Sequence, residues 1–524
     1  MVVFLIVLFF AATSLMAQER PPIIPLPETY QKIQGMFALN QQTAIVVNDA
    51  SFEDEAYFLQ KELLRYKGIA ISVQPKKNST AIILERSRKK QSNNDAYSVK
   101  MDTASVIISS ATDEGLFYGI ISFLQLVASA EIKKDLFLVA CWNLEDAPLY
   151  QWRGLMLDES RHFFGKEKVK SLLDWMAFYK LNRFHWHLTD EPAWRLEIKK
   201  YPKLALVGGI GNYLDSTAPS NYYRQEDIQE IVAYAAERKI LIVPEIDMPG
   251  HATAANKAYP QFSGGGSLKH PEFTFNPGKE ATYQYLTDVL RETDVLFPSN
   301  MIHLGGDEVS YGNEKWKADS EVQNLMTVHK LKDLKAVEEY FMQRMADSLF
   351  KMNNKFLAWD EMADVLLPVE KTIIFWWRQD QPQQLQKALE KGYSVVLCPR
   401  LPFYFDFVQD SIHRFGRKWD KLYNDLKNVY SFSAEQIPAM QYKKQLIAGI
   451  QANLWTETVS NEQRLDYLLF PRIIALAEAA WSSQKNFPDF LNRLKGHLPL
   501  FEKQKIYYYN PFYPAQHPEP VVLK

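Results

Sequence analysis

Apolar residues form short runs along the chain, and the spacing between the runs changes near residue 150. Ahead of that point, strand-like runs are mixed with segments whose apolar residues recur every three or four positions, the spacing typical of amphipathic helices. The pattern predicts strands at Thr43–Val47, Ile69–Val73, Ala81–Leu84 and Ser105–Ser109, and helices at Glu55–Tyr66 and Leu116–Ala130. Strands mixed with helices predict a small α+β domain over residues 18–148.

From residue 149 onward, short apolar runs recur eight times, mostly with helical segments between them. The runs are Arg153–Leu157, Phe184–Leu188, Leu241–Ile246, Met301–Leu304, Phe356–Trp359, Thr372–Trp377, Tyr393–Cys398 and Gly449–Trp455. One intervening helix shows in Val169, Leu172, Leu173 and Met176, whose spacing places them on one face. Strand alternating with helix eight times predicts a (β/α)8 TIM barrel with C-terminal helices over residues 149–524.

Three segments depart from the regular alternation. About a dozen residues separate the fifth and sixth runs, near the minimum for a parallel crossover, so we expect a weak or missing helix there. Residues 400–446 form a long insertion without strong periodicity, and Ser263–Ser267 is glycine-rich and predicts a flexible loop tip.

Composition places the chain among globular proteins with a full core. Of 524 residues, 47% are hydrophobic and 23% are charged. The formal net charge of -2 gives no global field that would favour nucleic acid or an anionic membrane, so no nucleic-acid partner is expected. Cys141 and Cys398 predict two buried thiols, with a single bridge between them as the alternative.

The first 17 residues form an apolar run that ends in small residues, which predicts a secretory signal peptide. The run lacks a basic start, and it is short for a transmembrane helix. No later stretch is apolar enough to span a bilayer, so the mature chain is expected to lack a membrane segment. The expected location is therefore outside the cytoplasm, periplasmic or secreted.

Polar residues collect where the predicted barrel strands end, the place where barrel enzymes carry their active sites. These residues are Asp158, Arg161, His187, Asp190, Glu245, Asp247, His251, Asp307, Glu308, Asp360, Glu361, Asp406 and Glu457. Carboxylates dominate the set. Glycoside hydrolysis needs such a set, because its oxocarbenium-like transition state requires nearby negative charge and a proton donor.

The strongest candidate pair is Asp307 and Glu308. Adjacent Asp-Glu pairs occur elsewhere in the chain and carry little information alone. Here the pair follows a strand and two glycines, Gly305 and Gly306, which allow a tight turn and leave room for a ligand. The context predicts an active-site turn.

The whole set resembles glycoside hydrolase family 20. Its matching segments are residues 153–158 (RGLMLD) with 160–163 (SRHF), 185–190 (HWHLTD) with 194–195 (WR), 244–251 (PEIDMPGH), 303–308 (HLGGDE), 359–361 (WDE) and 451–457 (QANLWTE). These segments follow the family's order over about 330 residues, and the Gly-Gly-Asp-Glu motif is specific. The N-terminal unit also looks like the small domain that precedes the barrel in this family.

The resemblance implies a role for each matching residue. Glu308 would be the general acid and base, and Asp307 would orient and charge-stabilise the substrate's own acetamide. Arg153 would hold hydroxyls at the non-reducing end of the sugar. The acetamide would be walled, and the sugar ring stacked, by Trp359, Trp377 and Trp455, although Trp376 lies next to Trp377 and competes for its role. Tyr404 would bond the acetamide carbonyl. Asp406 and Glu457 would bond ring hydroxyls. Asp190, His251 and His303 would hydrogen-bond the acids and orient them.

The family's chemistry implies a β-N-acetylhexosaminidase. It would remove terminal, non-reducing β-linked N-acetylglucosamine or N-acetylgalactosamine from oligosaccharides or glycoconjugates, with the 2-acetamido oxygen as nucleophile and retention of configuration. No metal or organic cofactor is implied.

Two alternatives come from the residues themselves. His185 and His187 form a His-x-His on a strand, and with His251, His303 and Asp307 they could build the metal site of an amidohydrolase. A non-catalytic sugar-binding barrel would keep the tryptophans, although it would not need both acids. The natural glycan, the preference between the two sugars, the oligomeric state, and whether the N-terminal segment is cleaved or anchors the protein stay open.

Overall fold

The computed structural model describes residues 19–75, 80–89, 93–134, 136–418, 421–438 and 443–521. The predicted signal peptide, residues 1–17, lies outside the described residues. Along the described chain, a mixed β-sheet domain is followed by a closed barrel of parallel strands. The predicted fold, a (β/α)8 TIM barrel preceded by a small α+β domain, is confirmed.

The N-terminal domain is a mixed sheet covered by helices. In spatial order its strands are Thr29–Leu39, Leu136–Asp146, Tyr97–Met101, Ser105–Ser110, Ala81–Arg86, Ala44–Val47 and Ser72–Gln74, with Glu131–Lys133 paired to Leu136–Asp146. Its helices are Glu53–Lys67 and Asp113–Ala128. The second helix is buried along most of its length because it lies between the sheet and the barrel, where Gln125 donates to the carbonyl of Phe178 at 2.7 Å.

Eight parallel strands close the barrel, as predicted. In chain order they are Trp152–Asp158, Arg183–His187, Leu241–Glu245, Met301–His303, Lys355–Trp359, Thr372–Trp376, Ser394–Leu397 and Ile447–Leu454, hereafter the first to eighth barrel strands. The eighth strand pairs in parallel with the first, which closes the ring.

Helices surround the barrel and follow most of its strands. They are Lys166–Phe178, Lys203–Leu206, Gln225–Ala236, Thr253–Ala258, Glu280–Leu296, Ser320–His329, Leu334–Lys351, Pro382–Lys391, Arg400–Phe403, Leu426–Ser431, Glu462–Leu469, Arg472–Trp481 and Phe487–Lys503. Between the fifth and sixth strands the described chain makes only the 3-10 turns Asp360–Asp364 and Val369–Lys371, so the predicted missing helix is confirmed.

One predicted loop is a β-hairpin instead. Ser263–Gly265 pairs with Thr274–Phe275, although the glycine-rich sequence predicted a flexible tip. Gly264 and Gly265 fit this strand because a Cβ at either position would press on Trp316 or Lys315. The glycines therefore allow close packing.

The barrel interior is a packed core. Side chains from several strands, among them Met156, Val243, Leu357 and Phe375, are buried together beneath the carboxyl ends of the strands. Cys398 belongs to the same cluster, and Cys141 is buried in the N-terminal domain; both thiols are free, as predicted. Within the described residues, no helix combines the length and apolar character needed to cross a bilayer.

Buried charges join the two domains. Lys180 of the barrel lies 3.1 Å from Asp146 of the N-terminal sheet and donates to the Tyr97 hydroxyl at 2.7 Å. The indole nitrogen of Trp481 donates to the other Asp146 oxygen at 2.9 Å. Because Lys180 and Asp146 are both fully buried, neither charge is satisfied without the other domain.

Candidate active site

One buried carboxylate, Glu245, ties together four barrel strands. Its two oxygens lie 3.0 Å from His185 Nε2 and 2.6 Å from His187 Nδ1, both on the second strand, and 2.9 Å from His303 Nδ1 on the fourth. The indole nitrogen of Trp359, at the end of the fifth strand, donates to Glu245 at 2.9 Å. Although burial disfavours its charge, these histidines hold the pKa of Glu245 well below its usual range.

Asp307 and Glu308 stand on a tight turn after the fourth strand. Gly305 and Gly306 have φ angles of 64° and 87°, which a side chain would strain. A Cβ at position 305 would also lie 1.8 Å from Asp247 Oδ1. Glu308 itself has a φ of 52°, an uncommon conformation for a non-glycine residue that often accompanies function.

The two acids have different surroundings. The Asp307 side chain is 12% exposed, whereas the Glu308 side chain is 32% exposed. His251 Nε2 lies 3.7 Å from Asp307 and 3.8 Å from Glu308. Burial raises the pKa of Asp307 to about 7, with the His251 charge opposing the rise and the Glu308 charge adding to it. Asp307 Oδ1 is buried and has no hydrogen-bond partner among the described residues, so it can accept one from a ligand.

Asp190 orients the histidines that face these acids. Its Oδ2 lies 2.9 Å from His187 Nε2, and its Oδ1 lies 3.0 Å from His251 Nδ1. Burial disfavours its charge, but Arg161 and His251 hold the pKa of Asp190 well below its usual range. The structure therefore places the predicted orienting residues, Asp190, His251 and His303, among the acids.

Aromatic rings form one wall beside Asp307. The rings of Trp359 and Trp455 lie 5.9 Å apart, and Tyr404 lies 6.2 Å from Trp455. Trp377 stacks on Tyr404 at 6.1 Å with 13° between the planes. Trp376, the neighbour that the sequence left as a competitor, packs into the core outside this cluster. The three tryptophans predicted to form the wall are therefore brought together with Tyr404, which was predicted to bond the acetamide carbonyl.

A salt-bridged pair of acids forms the far side of the site. Asp406 Oδ2 lies 2.7 Å from Arg417 Nε, and the same guanidinium also bonds Glu457. Burial raises the pKa of Asp406 to about 7, opposed by Arg417 and reinforced by Glu457. Arg417 was not predicted, because the insertion that carries it has no periodicity from which its folding could be read.

The placement of Arg153 in the sugar site was wrong. Arg153 lies near the start of the first strand, at the opposite end of the barrel, and its guanidinium is completely buried. It pairs with Asp95 at 2.9 Å and donates to the Tyr118 hydroxyl and the Lys180 carbonyl, each at 2.8 Å. These partners belong to both domains, so Arg153 stabilises the junction between the domains.

Arg161 occupies the position that the sequence assigned to Arg153. It follows the end of the first strand, lies 2.7 Å from Asp190 Oδ2 and 3.5 Å from Asp158 Oδ2, and its guanidinium carbon lies 5.0 Å from the centre of a Trp455 ring. The sequence had named Arg161 among the polar residues at the strand ends, where barrel sites form, but had assigned it no role.

Family models match both parts of the chain. Residues 150–484 match the model described as glycosyl hydrolase family 20, catalytic domain, and residues 20–147 match glycosyl hydrolase family 20, domain 2.

Individual relatives agree with the family models. A β-hexosaminidase of Porphyromonas gingivalis is 32% identical over 512 residues, covering 93% of this chain and 64% of its own, so the chain spans less than two thirds of that relative. An exo-β-N-acetylglucosaminidase of Vibrio harveyi, solved with N-acetylglucosamine, superposes with a TM-score of 0.86 at 30% identity, covering 94% of this chain and 79% of its own. A β-N-acetylhexosaminidase of Bacteroides fragilis gives a TM-score of 0.81 at 30% identity, covering 93% and 96%. The matched residues, the barrel and the Gly-Gly-Asp-Glu turn together show that this chain belongs to glycoside hydrolase family 20.

Proposed function

We propose that this family 20 hydrolase is an exo-acting β-N-acetylhexosaminidase that works by retaining, substrate-assisted catalysis. One observation carries the proposal: two adjacent acids, Asp307 and Glu308, share a strained turn but have different surroundings. The buried acid interacts electrostatically with Tyr404 of the aromatic wall, and the other acid is more open to solvent. That arrangement separates charge stabilisation from proton transfer.

In the first step, the 2-acetamido oxygen of the bound sugar attacks the anomeric carbon. The bond to the leaving oxygen breaks while Glu308 donates a proton to that oxygen, and an oxazolinium ring forms. Asp307 accepts the acetamide N–H through its unpartnered oxygen. Since positive charge grows on that nitrogen only as the ring closes, the Asp307 charge favours the transition state over the ground state.

In the second step, water attacks the same carbon and reopens the ring. Glu308 now takes the proton from the water, so the enzyme returns to its starting state and the configuration is retained. The tethered nucleophile removes the need for an enzyme nucleophile, and effective molarities of about 10⁵ M or more are attainable for such intramolecular attack.

The sugar's remaining contacts favour cleavage at chain ends. Trp359, Tyr404 and Trp455 would enclose the acetamide and the ring, while Arg161 and the two acids bridged by Arg417 would contact the hydroxyls remote from the cleaved bond. Because Arg417 spans those acids, no opening for a continuing glycan chain is expected on that side.

The two alternatives are disfavoured for different reasons. The histidines that suggested a metal-dependent amidohydrolase are bound to carboxylates, and family 20 membership favours sugar chemistry. A non-catalytic sugar-binding barrel would not need a second acid on a strained turn. Hydrolysis of an aryl N-acetyl-β-glucosaminide that survives exhaustive chelation would exclude both.

The general acid is tested with Glu308→Gln. We expect a loss of about 10² to 10⁴ in kcat/KM for a natural disaccharide, which needs protonation of its leaving oxygen. An activated aryl glycoside, whose leaving group needs little protonation, should lose much less. Equal losses on both substrates would contradict the acid role. A separate test is inhibition of the native enzyme by a thiazoline mimic of the bicyclic intermediate. The absence of inhibition would contradict the substrate-assisted mechanism.

The location of the protein is also a proposal. The apolar segment that ends near residue 17 supports export to the periplasm or the medium. Cell fractionation followed by N-terminal sequencing tests it. A mature chain that begins near residue 18 is expected, and a cytoplasmic chain that keeps its first residues would contradict export.

A further inference from the structure

We propose that Tyr311 and His270 form a leaving-group platform, a stacking surface on the solvent side of Glu308 for the ring that is split from the terminal sugar. The inference rests on the proposed function, because it concerns the group that Glu308 protonates. It assigns a second binding site to the protein, for a hexopyranose or aromatic ring.

Tyr311 is fixed directly to the proposed acid. The 3-10 turn Val309–Tyr311 begins immediately after Glu308, and the Tyr311 amide donates to the Glu308 carbonyl at 2.9 Å. The Glu308 charge raises the pKa of the Tyr311 hydroxyl, and a hydrogen bond between the two side chains adds to the rise. The ring is nevertheless 50% exposed, so one end contacts the acid while its face meets solvent.

His270 packs against the Tyr311 ring and supports it. Its ring stacks on Tyr311, with 5.8 Å between centroids and 28° between planes. The histidine lies in the loop between the hairpin strands Ser263–Gly265 and Thr274–Phe275, and its Nδ1 lies 3.0 Å from both Glu191 oxygens.

Glu191 connects the platform to the acids below it. Its amide donates to Asp190 Oδ1 at 2.5 Å, and Asp190 in turn holds His251. His251 faces both Asp307 and Glu308. The two rings are therefore supported from the active site on both sides, by Glu308 under Tyr311 and by Glu191 under His270.

The position of the cleaved bond indicates which part of the substrate would bind to the platform. The acetamide must lie at the buried Asp307 and the aromatic wall, whereas the leaving oxygen must lie at Glu308. The leaving group beyond that oxygen must then extend toward solvent, past the exposed side of Glu308. Sugar rings present apolar C–H faces, and the half-exposed Tyr311 ring, backed by the partly buried His270 ring, offers a flat face for them at that place.

The test compares two substrates that differ only in the leaving group. A β-linked N-acetylglucosamine disaccharide carries a ring that can stack, whereas N-acetyl-β-glucosaminyl fluoride carries none. The variants are Tyr311→Ala, Tyr311→Phe and His270→Ala. Tyr57→Ala is the control, since Tyr57 is similarly exposed, at 56%, but lies on the N-terminal helix Glu53–Lys67.

We expect Tyr311→Ala to lower kcat/KM for the disaccharide at least fivefold more than for the fluoride, mainly through KM. His270→Ala should act in the same direction and less strongly. Tyr311→Phe, which keeps the ring face, should hold the ratio of the two substrates near that of the native enzyme, as should Tyr57→Ala.

A ratio unchanged in Tyr311→Ala and His270→Ala would overturn the platform, and so would a Tyr311→Phe variant that matches the alanine variant. These outcomes require a native enzyme that cleaves both substrates. A native enzyme inactive on both would instead contradict the proposed function, so the two failures are distinguishable.

Discussion

Two arginines at opposite ends of the first barrel strand differ in what they stabilise. Arg161 contacts Asp158, Asp190 and the Trp455 ring at the carboxyl end, whereas Arg153 joins the two domains at the other end. The same residue type therefore holds active-site carboxylates in one place and the junction between the domains in the other.

Substitution of each arginine by methionine tests its role separately. Arg161→Met should lower kcat/KM by about 10²-fold, because it removes a preorganised charge from the site. Arg153→Met leaves Asp95 buried without its partner, and a loss of about 3–5 kcal/mol in the free energy of unfolding is expected. Steady-state kinetics and chemical denaturation of both variants measure the difference. A kinetic defect confined to Arg153→Met would contradict the assignment.

Asp307 should set the acidic limb of the pH profile. Its pKa is raised to about 7, and only the ionised carboxylate stabilises the positive charge that grows on the acetamide nitrogen. We therefore expect kcat/KM, which reports the free enzyme, to fall as the pH drops through about 7. The charged groups that act on Asp307 make this a shared titration; they include His251, Glu308, Glu245, Asp190, Asp247, Glu361 and Arg378.

The matched variant is Asp307→Asn, whose side chain cannot titrate. It should lose about 10² to 10³ in kcat/KM at pH 8 and lose the acidic limb near pH 7. A profile of unchanged shape in this variant would assign the limb to another group.

At the scale of single residues, the sequence predicted which side chains meet at the site better than it predicted their arrangement. Asp307 and Glu308 were identifiable because a strand and two glycines precede them. Arg153 was misplaced because it lies within a matching motif, although its position near the start of the strand points to the other end of the barrel. Tyr311 and Arg417 were missed because their roles depend on how loops fold back, which no local spacing encodes.

Among the elements, the turn after the fourth strand depends most on its backbone. Gly305→Ala would place a Cβ against Asp247 at a φ of 64°, so the turn must move and Asp307 must move with it. We expect the free energy of unfolding to fall by about 1–3 kcal/mol and the activity to fall severely. Gly496→Ala is the control, since a Cβ there meets nothing within 4 Å and alanine favours the helix Phe487–Lys503. Thermal unfolding and aryl-glycoside hydrolysis compare the two, and equal behaviour would contradict the strained turn.

Element positions were predictable where packing imposes a period. All eight barrel strands were found because buried parallel strands appear as short apolar runs. The missing helix after the fifth strand followed from the number of residues available. The hairpin Ser263–Gly265 with Thr274–Phe275 was not predicted, because its glycines are required by close contacts with Lys315 and Trp316 from a distant segment.

Over the whole molecule, the two domains should unfold as one unit. Asp146→Ala removes the partner of the fully buried Lys180, and a loss of about 3–5 kcal/mol is expected for an uncompensated buried charge. Glu145→Ala, one residue earlier, removes only an exposed pair with Lys89 and should change little. Calorimetry that resolves two separate transitions in the native protein would contradict the coupling.

The bridge from Arg417 to Asp406 and Glu457 has a consequence for how a polymer would be degraded. Under the proposed function, the bridge closes that side of the sugar site, so a substrate chain would enter only by its non-reducing end. A viscous polysaccharide digested by this enzyme should release monosaccharide from the first minutes while its viscosity hardly falls. Any partner that cuts inside the polymer would therefore multiply the rate by creating new ends.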